Sequence, residues 1–304
     1  MLWRNPFGHY VLGPKLINTL ISCLDEEEIS SLIPFAINFP SNHHTPLFEY
    51  GKSIKIICQE DIRKEIICWL KLTSGVKHGD EFKDCRVPKL IEVIYNMIMR
   101  QGSNLQEFNI KIPKNEYYID LPYWYVFDYE PGITNLSTLE IDIHLKKNEE
   151  LQRCINAMIF LSKVPKYCNG IINIDLVIRN LMRSLIDIFV NIIKSQPLKS
   201  ISMCILKIRE REKIIRALEF RTKTLKDLQL YNLNFQGIDL SFISKLECLE
   251  HLGFTYCVGF EGFVSQNCFG KKFHLSICHK FEPDVVKTVI SSFGGKSLYK
   301  LTNY

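Results

Sequence analysis

The chain has 304 residues, 46% hydrophobic and 23% charged, a balance that excludes a disordered polymer and leaves room for one long or two ordinary domains. No stretch approaches the ~18 consecutive apolar residues of a membrane span, and the first twenty residues hold no secretory apolar run, so a soluble, unexported protein of the cytoplasm or nucleus is expected. The net charge of +5 is divided unevenly: residues 1–150 carry 16 basic and 21 acidic groups, net −5, and residues 151–304 carry 22 and 12, net +10, which hints at two regions.

Residues 1–100 read as helices over 14–24 (PKLINTLISCL), 25–36, 59–72 (QEDIRKEIICWLKL) and 88–100 (PKLIEVIYNMIMR). Asp25, Glu26, Glu27 and Glu28 suit a helix start, where the peptide dipoles favour negative charge, and Pro88 suits a first helical turn. The intervening IPFAINFPSNHHTPLFEYGKS, marked by Pro34, Pro40 and Pro46, reads as a loop or linker with His43 and His44 in solvent.

From residue 101 a repeat begins. Apolar residues recur at offsets 0, 3 and 5 in Leu105/Phe108/Ile110, Leu136/Leu139/Ile141, Ile171/Ile174/Leu176, Leu198/Ile201/Met203, Leu225/Leu228/Leu230 and Leu249/Leu252/Phe254. Leu275/Ile277 and Leu298/Leu301 continue it imperfectly, with Lys272 in one first slot and Asn303 in one last slot. The starts at 105, 136, 171, 198, 225, 249, 272 and 298 lie mostly in or near the roughly 20 to 29 residue spacing of a leucine-rich repeat, and Cys257 fills the Asn/Cys slot of L-x-x-L-x-L-x-x-N/C.

Offsets 3 and 5 fall on one face of a short strand, and the first apolar residue packs the turn entering it. Amphipathic stretches lie between, at 149–161, 179–195 (with Leu181, Leu185, Phe189 and Ile192 on one stripe), 209–220 and 283–293. A lone strand–helix unit cannot bury its apolar faces, whereas stacked copies can. The expectation is an α/β fold: a leucine-rich-repeat solenoid over 101–304, with a curved parallel sheet and helices on the convex side, preceded by the mainly helical region 1–100. Leu228, Leu230, Leu252 and Phe254 are then core; an ordinary α/β domain is the alternative.

Offsets 2 and 4 face out of that sheet, on the concave side. They comprise Glu107 and Asn109, Thr138 and Glu140, Asn173 and Asp175, Ser200 and Ser202, Asp227 and Gln229, His251 and Gly253, and His274 and Ser276. This row has carboxylates but no Lys or Arg, which suits a protein or peptide and not phosphates.

Other chemistry is poorly supported. SSFGGKS at 291–297 lacks the leading glycine of a phosphate loop, Ile290 standing there, and its glycines suit a helix end. Cys257, Cys268, His274, Cys278 and His279 match no compact zinc spacing. No nucleophile elbow or paired-carboxylate motif is present, so neither catalysis nor a cofactor is expected. The basic residues Lys207, Arg209, Arg211, Lys213, Arg216, Arg221, Lys223 and Lys226 interleave with Glu210, Glu212 and Glu219 and read as a salt-paired helix face, not a nucleic-acid site. The 11 cysteines, an odd number with no C-x-x-C pair, read as apolar thiols of a reducing compartment.

LWRNPF at 2–7, LINTLISCLDEEEISSLIPF, PLFEYGKSI, SQPLKSISM and Ile238–Ser244 together resemble fungal F-box/leucine-rich-repeat proteins of the arbuscular mycorrhizal type, over nearly the whole chain. The resemblance implies an F-box followed by a Trp-containing tail, similar here to Leu2–Pro6, and recruitment of a protein substrate to a ubiquitin ligase through a Skp-type adaptor. Because the chain opens at that tail, weak adaptor binding or none is expected.

Overall fold

A computed structural model describes residues 2–8, 13–37, 46, 48–75, 84–112, 120–122, 132–144, 154–179, 183–206, 211–259, 274–278 and 298–302, the last two segments as backbone. The structure is α/β with parallel strand pairing. It divides into two compact units, residues 1–140 with 146–170 and residues 141–145 with 171–304. The helix expected at 283–293, the glycines 294–295, and His43, His44, Leu181, Lys207, Arg209, Glu210, Cys268 and His279 lie outside the described residues.

In the first unit α1 spans Gly13–Ser22 and α2 spans Glu26–Leu32. The acidic start works as a capping box: the Glu28 amide donates to Asp25 Oδ1 at 2.8 Å, and the Asp25 amide donates to Glu28 Oε2 at 2.9 Å. Pro34 and a left-handed Ala36 (φ 49°) turn residues 33–35 into a 3₁₀ turn, so α2 is shorter than the expected 25–36. The presumed loop also contains a helical turn, α3 (Tyr50–Ser53), whose Gly51 lets the chain approach closely: a Cβ there would lie 3.0 Å from the Ile98 backbone.

One element departs from the helices of the mainly helical region 1–100 and carries an early copy of the repeat. β1 (Ile56–Cys58) is a strand, paired in parallel with β2 (Glu107–Ile112) so that Ile56 faces Glu107. That register makes Ile54, Ile57 and Gln59 the slots matching Leu105, Phe108 and Ile110, all six buried. A polar residue in the third slot conceals this copy from a search for apolar triplets. α4 (Gln59–Ser74) follows directly, tied to α1 by Trp69 Nε1 donating to Asn18 Oδ1 at 2.6 Å, and α5 spans Arg86–Arg100.

After β3 (Thr138–His144), α6 occupies Ile155–Tyr167, later than the expected 149–161. Its start is fixed by Asp120, which accepts from the amides of Asn156 (2.7 Å) and Ala157 (3.2 Å), a cap far away in sequence that local spacing cannot reveal. Phe108 on β2 sits against Tyr95 of α5 and Phe160 of α6, at ring centroid distances of 6.4 and 5.2 Å, so helices cover the apolar sheet face.

In the second unit β4 (Asn173–Arg179), β5 (Ser200–Leu206), β6 (Asp227–Tyr231), β7 (His251–Thr255), β8 (His274–Cys278) and β9 (Leu298–Thr302) pair in chain order. α7 (Arg183–Ser195) and α8 (Arg211–Ala217, continued as a 3₁₀ turn to Arg221) connect the first three strands, and a 3₁₀ turn at 241–245 lies between β6 and β7. α7 buries Leu185, Phe189 and Ile192, the expected stripe. Leu228, Leu230, Leu252 and Phe254 are all fully buried.

A backbone device recurs with the repeat. The carbonyl of Lys55 accepts from the amides of Gln106 and Glu107, that of Gln106 from Ser137 and Thr138, and that of Lys199 from Lys226 and Asp227. Lys226 then receives Glu250 and His251 in the same way. Each acceptor stands one residue after a slot-0 position, so strand register and sequence repeat coincide. The last copy needs correction: Leu298 pairs with His274 and Leu301 with Ile277. Its slots are therefore Lys296, Tyr299 and Leu301, not Leu298, Leu301 and Asn303. Two leucines three apart satisfy the spacing rule in either register, and only strand pairing separates them.

Candidate interaction surface

Successive side chains on a strand point to opposite faces, so burial of slots 3 and 5 turns slots 2 and 4 the other way. β2, β3, β4, β5 and β6 follow this rule, while on β7 the slot-4 residue, Gly253, is itself buried. On β4, for example, Ile174 and Leu176 are buried while Asn173 and Asp175 are half-buried. In the first unit Glu107 and Asn109 on β2, and Thr138 and Glu140 on β3, are half-buried, and the Asn109 amide donates to the Glu140 carboxylate. Register places Ile56 and Cys58 of β1 beside Glu107 and Asn109, so an apolar residue and a thiol border this polar patch. The apolar-triplet search missed both with their strand.

In the second unit pairing aligns the expected residues into two columns. One runs Asn173, Ser200, Asp227, His251, His274; the other runs Asp175, Ser202, Gln229, Gly253, Ser276. Ser200, Ser202, Asp227 and Gln229 are half-buried and His251 is exposed. Ser202 Oγ donates to Asp175 Oδ1 at 2.7 Å across the β4–β5 pair, and Gln229 Nε2 donates to Asp227 Oδ1 at 3.1 Å. Fixed partners hold these polar groups in place before any ligand arrives, lowering the entropic cost of binding.

The corrected register extends the columns to Leu298 and Lys300 on β9, so the row without Lys or Arg gains a lysine position at its far end. Pairing of β4 to β8 also aligns a third column, Val177, Cys204, Tyr231, Thr255 and Cys278, in which Cys204 is buried. Cys257 keeps its repeat slot: its thiol donates to the Leu230 carbonyl at 3.2 Å, and burial pushes it up to about 11.

Among the described residues of the basic segment, Arg216, Arg221 and Lys226 make intramolecular contacts. Arg216 pairs with Glu212 at 2.7 Å, and Lys226 with Glu250 at 2.5 Å. Arg221 donates to the carbonyls of Gln196 and Lys194, closing the end of α7. A crevice of about 310 Å³ between α2 and α5 is lined by internal pairs, Arg100 reaching Asp25 at 2.9 Å and Glu28 at 2.7 Å, and Lys89 reaching Glu92 at 3.0 Å.

Among the described residues no three His, Cys, Asp or Glu side chains gather to hold a metal, and no helix is long and apolar enough to cross a membrane. Compared with family models, curated proteins and solved structures, the chain matches none.

Proposed function

We propose that the chain is a leucine-rich-repeat solenoid whose polar, concave sheet face takes a protein or peptide, and that it serves as the substrate-recognition part of an F-box-type ubiquitin ligase adaptor in the cytoplasm or nucleus. The supporting observation is the pair of in-register polar columns on β4–β8, a preorganised surface repeated at strand spacing. A binding module without catalysis fits these residues, which repeat with the strands and do not converge on one reacting point. The ligase link rests on the sequence resemblance alone. Trp3 lies against Tyr50 at a ring centroid distance of 4.2 Å, so the tail's aromatic face is occupied by its own chain, which supports weak adaptor binding.

Two measurements test this. Proximity labelling should give partners that Asp175→Lys with Gln229→Lys abolishes and Lys213→Glu on α8 leaves unchanged; equal labelling by all three proteins would refute the sheet-face assignment. Titrating a Skp-type adaptor into the chain by calorimetry should give binding weaker than micromolar, and tight binding would identify an adaptor site within residues 8–100. Retained sheet-face partners with no adaptor association in cells would leave a stand-alone repeat scaffold.

A further inference from the structure

Strands of the repeat are joined to the strand before them by the amides of slots 1 and 2, which share the preceding slot-1 carbonyl: Gln106 and Glu107 on Lys55, Lys199 and Ser200 on Ile172, Lys226 and Asp227 on Lys199. β1 has half of this joint. The Lys55 amide donates to the Arg4 carbonyl at 2.9 Å, so the tail supplies one acceptor where an earlier strand would stand. The Ile56 amide, the counterpart of Glu107 and Ser200, has no partner among the described residues. Nor does the tail run on beside β1: residues 5–8 bend and turn, the Gly8 amide donating to Asn5 Oδ1 at 3.1 Å, and Trp3 is held against Tyr50. Parallel pairing turns the backbone groups of slots 2 and 4 toward the preceding strand and those of slot 3 toward the next. Ile57 therefore faces β2, while the amide and carbonyl of Ile56 and the amide of Cys58 face an open edge, a ready template for another chain.

The surroundings select the occupant. Arg4 and Lys55 stand at the entry of the strand and donate to neutral groups, Arg4 Nη2 to Gln106 Oε1 and Lys55 Nζ to the Lys52 carbonyl, both at 3.2 Å. Lys52 approaches Glu49 at 3.9 Å, and Glu60 and Asp61 after the strand are met by Arg63 and Lys64. Glu107 lies on the far side of β1, about 10 Å or two strand spacings from the vacant place. Two cations without a carboxylate at the entry favour an acidic partner. A second copy fits poorly. Antiparallel pairing of β1 with itself, Ile56 against Cys58, would set Gln59 and the start of α4 opposite Lys55, where Arg4 already sits.

We propose that the open edge of β1 takes one extended, acidic peptide of a partner protein as an added parallel strand, with a carboxylate at its entry beside Arg4 and Lys55. One peptide residue bridges the edge: its amide donates to the Ile56 carbonyl and its carbonyl accepts from the Cys58 amide. The site is separate from the polar columns and stands whether or not they bind a partner.

The test is selection of a displayed library of short random peptides on the full native chain, followed by titration of an enriched peptide. Sequences rich in β-branched residues and carrying Asp or Glu are expected, with affinity lowered about tenfold or more by Arg4→Glu with Lys55→Glu and unchanged by Asp175→Lys with Gln229→Lys. Methylating the peptide amides one at a time should weaken binding about tenfold at the bridging residue and leave it nearly unchanged at either neighbour, whose amides point away from β1. That series uses the native protein, so it decides even if a variant fails to fold. Enrichment of basic peptides, no enrichment, or uniform tolerance of methylation would overturn the proposal. Self-association of the chain that an enriched peptide reverses would make a second copy the occupant and overturn it too.

Discussion

Single residues carry the repeat through burial. Leu252 is fully buried beside Leu228, its partner on β6, and truncating it removes apolar contacts and leaves a cavity that a packed sheet–helix layer fills only partly. Leu252→Ala should cost about 2 to 5 kcal/mol in denaturant unfolding, and a loss under about half a kcal/mol would contradict its core position. The thiols separate by environment in the same way. Cys168 and Cys257 are buried and pushed up to about 12 and about 11, whereas Cys68 and Cys85 are exposed. Among the described thiols, mild alkylation at pH 8 should therefore label Cys68 and Cys85 first and leave Cys168 and Cys257 until unfolding. The native state binds protons on those two thiols more tightly than the unfolded chain, whose thiols titrate near 9.0. Their contribution is thus fully present below pH 9 and lost as pH rises through about 11 to 12. Unfolding midpoints measured from pH 8 to 11 should fall, with a smaller fall in Cys168→Ala if that variant stays folded.

At the scale of elements, strand pairing sets local stability. β6 is bonded on both sides, by β5 and β7, while β9 has β8 as its strand neighbour. Opening β9 breaks one ladder and opening β6 breaks two, so amides of 298–302 should exchange with solvent faster than those of 227–231. Equal protection would mean that another segment covers β9. Helix starts follow a different logic. α2 begins where the sequence indicates because Asp25 and Glu28 are three residues apart, whereas α6 begins where Asp120 reaches it from thirty-six residues away. Local caps are legible in sequence and tertiary caps are not.

For the whole molecule, a net charge of +5 and a strongly basic second half invite a nucleic-acid reading. Phosphate binding needs cations free to release counterions, and Arg216, Arg221 and Lys226 are already committed to carboxylates or helix-end carbonyls. At about 0.15 M salt the chain should therefore show only weak, sequence-independent association with DNA or RNA, weaker than roughly 10⁻⁶ M and fading steeply as salt rises. Tight binding that discriminates between sequences would overturn the assignment of the sheet face as the functional surface.

The sequence alone determined the period: alternation in a strand and the cost of exposed apolar area favour burying Leu225, Leu228 and Leu230 together, and all three are buried. It also indicated most members of the polar columns, which are the same alternation seen from the other face. The tertiary structure decided register and extent. Gln59 occupies an apolar slot that only pairing with β2 reveals, and Leu298 could equally have been slot 0 or slot 2 until β8 fixed it. Bringing Asp227, His251 and His274 into line likewise depends on hydrogen bonds between strands 23 and 24 residues apart. Local spacing states what a segment can bury; which segment lies beside it is set by long-range backbone pairing.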